Sequence, residues 1–182
     1  MITAEDIQSI QLEPFELTRA AGLGVQRQVH NLFTSKKDKN SCPTGEGFHC
    51  HIIGACGELA VAKSLGVYWL GVLGDFTVPD IGPVQVRTTD CPGGSLILHP
   101  DDPDDAPFVL VVGQNACYRI VGWIYGREGK NERFWRTEDV RSPAYFINPK
   151  RSKEARSLFR PISILTDLVK HNRQQKGQTG ET

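Results

Sequence analysis

The sequence lacks an excess of charge of either sign, since Lys and Arg together number 21 and Asp and Glu together number 21. A strongly basic whole chain, the simplest signature of a nucleic-acid binder, is therefore excluded, and any phosphate contact has to come from a local cluster. Long apolar runs are missing too: the stretch Phe108-Val109-Leu110-Val111-Val112 is strand-sized and far too short to span a bilayer, so no membrane partner is expected. The first residues, Met1-Ile2-Thr3-Ala4-Glu5-Asp6, are acidic and carry no apolar stretch with a small-residue cleavage site. No secretory signal is expected from them, and a cytoplasmic location is. An even set of cysteines is also lacking. Cys42, Cys50, Cys56, Cys91 and Cys117 read as free thiols in a reducing compartment rather than as a disulfide framework. Cys42, Cys50, His51 and Cys56 lack the paired short spacing of a zinc site. The acidic run Asp101-Asp102-Pro103-Asp104-Asp105 lacks the alternating ligands, glycine and terminal Glu of a calcium loop, and reads as a solvated turn.

What is present fits one domain. At 182 residues, 39% apolar and 23% charged, the chain can bury a real core, expected over residues 1–173 with a polar tail at 174–182. From Phe15 to Phe33 the residues Leu17, Ala21, Val25, Val29 and Leu32 recur at three and four, predicting an amphipathic helix whose apolar stripe faces the core. The stretch from Thr34 to Phe48 is polar, basic and rich in turn residues. A second helix is predicted from about His49 to Ser64, with Ile52, Cys56, Leu59 and Ala60 inward and Gly66 as its stop. Strands are predicted at Val67–Val72, Phe76–Asp80, Val84–Thr88, Leu96–His99, Phe108–Val112 and Tyr118–Tyr125, with a hairpin turn at Ile81-Gly82-Pro83. Phe108–Val112 is apolar throughout and should lie centrally with both faces covered. Pro161 opens a last helix carrying Leu165, Leu168 and Val169. The fold expected is α+β: a helix on a central mixed, mainly antiparallel sheet, with N-terminal and C-terminal helices.

Chemistry concentrates in two places. His51 and Glu58, seven positions apart on the second helix, fall within roughly 20° around its axis. Asp80 precedes the Ile81-Gly82-Pro83 turn, and period-2 geometry puts Gln85 and Arg87 on one face of the next strand, opposite Val84 and Val86. If the helix packs on the Gln85 face, Glu58, Asp80, Gln85 and Arg87 converge. Two carboxylates and an amide oxygen suit a hard cation such as Mg²⁺ or Mn²⁺, which would activate water for phosphodiester hydrolysis while Arg87 stabilises the charge developing at phosphorus.

The order of a helix Glu58, then Pro79-Asp80, then Gln85-Val86-Arg87 resembles the PD-(D/E)XK nuclease superfamily. The stretches Gly54-Ala55-Cys56-Gly57-Glu58-Leu59-Ala60-Val61-Ala62-Lys63 and Pro79-Asp80-Ile81-Gly82-Pro83-Val84-Gln85-Val86-Arg87-Thr88 further resemble small phage and prophage proteins, as do Gly122-Trp123-Ile124 and Ala144-Tyr145-Phe146. The resemblance implies a restriction-endonuclease-like core and a Mg-dependent phage-type DNA nuclease, in host cytoplasm if phage-encoded. Glu58, Asp80 and Gln85 would hold the metal. Gln85 and Arg87 depart from the family pattern of a second acid and a lysine, and Arg87 stays protonated, leaving proton removal to metal-bound hydroxide, a water chain or His51. The alternative expectation is a non-catalytic protein of the same fold that binds DNA or a host protein. Phosphate contacts are expected from Lys36, Lys37 and Lys39, or from Lys150, Arg151, Lys153, Arg156 and Arg160. A homo-oligomer is compatible with either reading.

Overall fold

In a computed structural model, residues 2–34, 45–73, 79–138, 140, 142–166 and 169 are described. The expectations for Lys36, Lys37, Lys39, Cys42, Phe76–Val78 and the tail 174–182 fall outside that set.

Strand β1 (Gln8–Gln11) leads into α1 (Pro14–Thr34). Pro14 at the first helical position gives up only an N–H the helix would leave unpaired, and Glu16 accepts the free backbone N–H of Glu13 at 2.8 Å. Helix α2 (Gly47–Leu65) ends at Gly66, whose φ of 64° is the left-handed cap expected there. The remaining elements are β2 (Gln85–Thr89), β3 (Leu96–Leu98), β4 (Pro107–Gln114), β5 (Cys117–Tyr125), the single turn α3 (Gly126–Gly129), β6 (Trp135–Arg136), β7 (Ala144–Ile147) and α4 (Lys153–Leu158). A further helical turn covers 162–166, following Pro161 as anticipated.

The α+β class holds. One sheet has the order β1-β5-β4-β2, with β2 parallel to β4 and the other pairs antiparallel, so it is mixed; a second, antiparallel sheet has the order β3-β7-β6. Strand β4 is buried on both faces. Val109 and Val111 face one core with Ala55, Ala60, Val61, Val86 and Leu165, while Phe108, Leu110 and Val112 face another with Leu96, Leu98, Ile147 and Phe159. The layers therefore run α1, α2, first sheet, second sheet. At Gly122, with φ of 150°, the pairing slips by one residue, so Ile120 and Trp123 share a face although three positions apart.

Two expectations are corrected. No strand forms over 67–72; this segment lies along α1, tied by Arg19 to the Trp69 carbonyl at 3.4 Å and by Arg27 to the Val72 carbonyl at 2.9 Å. The acidic run is the exposed turn expected between β3 and β4, and it also ties neighbouring segments: Asp102 accepts from Arg87 and the His99 backbone, Asp104 from Lys130, and Asp105 from Arg127. Most consequential, α1 is turned away from its predicted stripe. Its buried residues are Ala20, Gly24, Gln28 and Asn31, while Val25, Val29 and Leu32 are exposed. The reason is close approach: a Cβ on Gly24 would sit 2.5 Å from the Cα of Ile52, so the face that carries Gly24 and Ala20, not the most apolar one, meets α2. Sandwiched between α1 and the sheet, α2 is buried nearly all round. No helix among the described residues is long and apolar enough to cross a membrane.

Candidate functional site

Glu58 lies at the middle of α2, buried where α1 crosses it. From α1, the Arg27 guanidinium forks onto it, Nη1 to Oε1 at 2.5 Å and Nη2 to Oε2 at 3.0 Å, and the Trp69 indole N–H donates to Oε2 at 3.2 Å. Arg27 is itself fixed by donating from Nε and Nη2 to the Val72 carbonyl. This bidentate pair is the geometry in which Arg binds carboxylate best.

Asp80 sits at the tight turn in which Ile81 and Val84 exchange backbone hydrogen bonds, and its Oδ2 accepts from the Val86 N–H at 2.7 Å. Burial, and then the negative charge of Glu58, push its carboxyl up to about 7, against the opposing pull of Arg87 and Arg27. Glu58 and Asp80 are thus brought into electrostatic reach of each other, with the Arg27 charge acting on both.

Gln85 and Arg87 are not brought to that side. In the parallel ladder Val86 pairs with Val109, which faces α2, whereas Gln85 pairs with Phe108 and Arg87 with Leu110, both in the opposite core. Thr88 lies directly under α2, where a Cβ on Gly57 would come within 1.9 Å of its hydroxyl. The helix therefore packs on the Val84, Val86 and Thr88 face, and the expected four-residue convergence is corrected. Arg87 instead donates to Asp102 Oδ1 at 2.9 Å and stacks its guanidinium over the Phe108 ring at 5.1 Å. His51 lies two turns before Glu58, about 10 Å along the axis, with its Nε2 3.2 Å from the Asn31 amide nitrogen of α1.

The donor set does not fit a divalent cation as it stands. Both Glu58 oxygens are engaged, Gln85 points to the other core, and among the described residues no three His, Cys, Asp or Glu side chains gather as metal ligands. The arrangement is a buried carboxylate pair in which Arg27 neutralises Glu58 and burial favours the protonated form of Asp80.

The second basic cluster divides in the structure. Lys150 donates to the Pro92 carbonyl, Arg156 to the Pro149 carbonyl, and Arg160 forks onto Glu128 while stacking on Trp123. Arg151 does none of this. It lines a cleft of about 610 Å³ with Arg133, Arg136, Phe134, Phe146 and the acid Glu154. Sequence reasoning missed Arg133 and Arg136 because Arg127, Lys130, Arg133 and Arg136 recur every three residues with acids and aromatics between them rather than as a run; the turn at Glu132–Phe134 and the pairing of β6 with β7 set the last two beside Arg151. Across a volume of this size, three guanidinium groups and the half-buried Phe146 ring can receive phosphate oxygens and a stacked base.

No protein-family model matches the chain, and neither a curated protein nor a solved structure shows significant similarity to it.

Proposed function

We propose that the chain is a DNA-binding protein without hydrolytic turnover, the non-catalytic form of a nuclease-like α+β domain. The observation that carries this reading is the cleft in which Arg133, Arg136 and Arg151 converge from separate segments beside Phe134 and Phe146. In a chain of zero net charge, phosphate binding needs such a local concentration of cations. The loss of turnover is supported by Arg27, which neutralises Glu58, and by the turning of Gln85 and Arg87 to the opposite face. With the three arginines assigned to phosphate, the expected binding is independent of sequence.

Fluorescence anisotropy with a labelled oligonucleotide between about 50 and 200 mM salt tests the reading; three phosphate contacts give a slope of log K against log salt of about −2.7 on duplex. Arg136→Ala/Arg151→Ala should flatten that slope by about 2. Both side chains are exposed, and neither donates a hydrogen bond among the described residues, so the variant should fold normally. Equal slopes in wild type and variant, or no binding at the lowest salt, would sink the proposal.

One observation favours a second reading. Glu58 and Asp80 are close enough for one to raise the pKa of the other, which is how the carboxylates of a magnesium-dependent nuclease stand. That reading requires Arg27 to release Glu58. Plasmid nicking in Mg²⁺ or Mn²⁺ by the wild type, abolished in Glu58→Ala and Asp80→Ala, would replace the first reading by this one.

A further inference from the structure

The outward face of α1 carries a row of exposed apolar side chains. Phe15 is 73% exposed, Leu32 62%, Val25 40% and Val29 39%, while on the inward side the polar Gln28 and Asn31 are buried to 7% and 3%. The exposed set is more regular than a scatter of apolar side chains. Phe15, Thr18, Gly22, Val25, Val29 and Leu32 follow one another at three, four, three, four and three, the spacing of a seam that packs along a partner helix. At its centre Gly22 faces open space: a Cβ there would meet nothing of this chain within 4 Å.

Nothing else in the chain has the composition to cover this seam. The segments outside the described residues that are long enough, 35–44 and 170–182, read Ser-Lys-Lys-Asp-Lys-Asn-Ser-Cys-Pro-Thr and Lys-His-Asn-Arg-Gln-Gln-Lys-Gly-Gln-Thr-Gly-Glu-Thr, polar nearly throughout. A second copy does fit. In an antiparallel pair about a two-fold axis midway between Gly22 and Val25, Phe15 lies opposite Leu32, Thr18 opposite Val29, and Gly22 opposite Val25. Every apolar position meets an apolar or small one, and the glycine leaves room for the valine. The charge pattern agrees, because no seam position is ionisable and the flanking charges are already engaged. Glu16 pairs with Lys63, Arg19 lies against Tyr68 and Trp69, and Arg27 is forked onto Glu58. Self-complementarity about a two-fold axis is what an isologous contact demands, and an unrelated partner has no reason to impose it.

We propose that two copies of this chain associate through α1 in an antiparallel, two-fold symmetric helix pair. Sedimentation equilibrium on the full chain tests it, with wild type expected at twice the 20.2 kDa chain mass. Thr18→Lys/Val29→Lys places like charges opposite each other in the proposed pairing and should yield a monomer with unchanged circular dichroism, whose Tm no longer depends on concentration. Thr18→Glu/Val29→Lys places opposite charges together only if the pair is antiparallel, and should restore the dimer; in a parallel pair each charge would meet its own kind. A monomeric wild type, or a dimer surviving in the like-charge variant, overturns the proposal. A dimeric wild type with both double variants monomeric overturns the antiparallel pairing.

Discussion

Arg27 holds the most consequential side-chain contact in the molecule, and nothing in its sequence neighbourhood announces it. The residue lies 31 positions before Glu58 on a different helix, so the spacing that made Glu58 and Asp80 recognisable as neighbours gave no sign that a third charge stands between them. Removing one member of a buried ion pair strands the other. Arg27→Met is expected to cost about 3–5 kcal/mol in urea unfolding, whereas Arg27→Met/Glu58→Gln should cost far less than the sum of the single changes, because no uncompensated charge is left. Additive costs would show that the pair is not coupled. Asp80 makes a separate prediction with a definite sign. Its carboxyl titrates near 7 in the folded chain against 3.8 for an ordinary aspartate, so across that window the folded state holds a proton that the unfolded state has released. Stability from this group is therefore lost as pH rises from about 3.8 to about 7, and is flat on either side. Asp80→Asn, which keeps an acceptor for the Val86 N–H, should gain on wild type steadily through that interval. A stability difference that stays constant with pH would show that the carboxyl is not raised.

At the scale of elements, the helices and the apolar strands were legible where local pattern and tertiary environment agree. Strand β4 is apolar at consecutive positions because both its faces are covered, and α2 stops where Gly66 can turn left-handed. The polar strand β1, Gln8-Ser9-Ile10-Gln11, was invisible because an edge strand is held by its ladder to β5 rather than by propensity. For α1 the existence and length of the helix could be read but not its rotation. Periodicity reports how wide an apolar stripe is, and says nothing about a competing face selected by close approach. The two glycines of α1 separate these effects. Gly24→Ala forces a Cβ against the Ile52 backbone and should cost about 1–3 kcal/mol, while Gly22→Ala, which meets nothing in its own chain, should stabilise a dilute monomer by about 0.5–1 kcal/mol through helix propensity. Thermal unfolding of the two variants side by side checks both; equal effects would mean that α1 does not pack on α2 through its Gly24 face.

The whole molecule is organised around β4, which belongs to two cores at once. Val109 and Val111 lock it to the α2 side, and Phe108, Leu110 and Val112 lock it to the second sheet. This coupling decided which candidate residues could meet: in a parallel ladder the residues opposite Phe108 and Leu110 must share their face, so Gln85 and Arg87 were committed to the second core as soon as β2 paired with β4. A sequence can show the alternation on β2, but which of its two faces receives the helix is settled by a strand more than twenty residues away. The same sharing makes the two cores one cooperative unit, since neither can lose its packing while β4 stays in place for the other. Leu110→Ala, truncating a side chain on the second-sheet face, is expected to cost about 2–5 kcal/mol. Its effect on native-state hydrogen exchange should be uniform, lowering the protection of the most stable amides in α2 by as much as that of amides in β3 and β7. If only β3 and β7 lost protection, the second sheet would be a separately folding layer, and β4 would join two units rather than bind them into one.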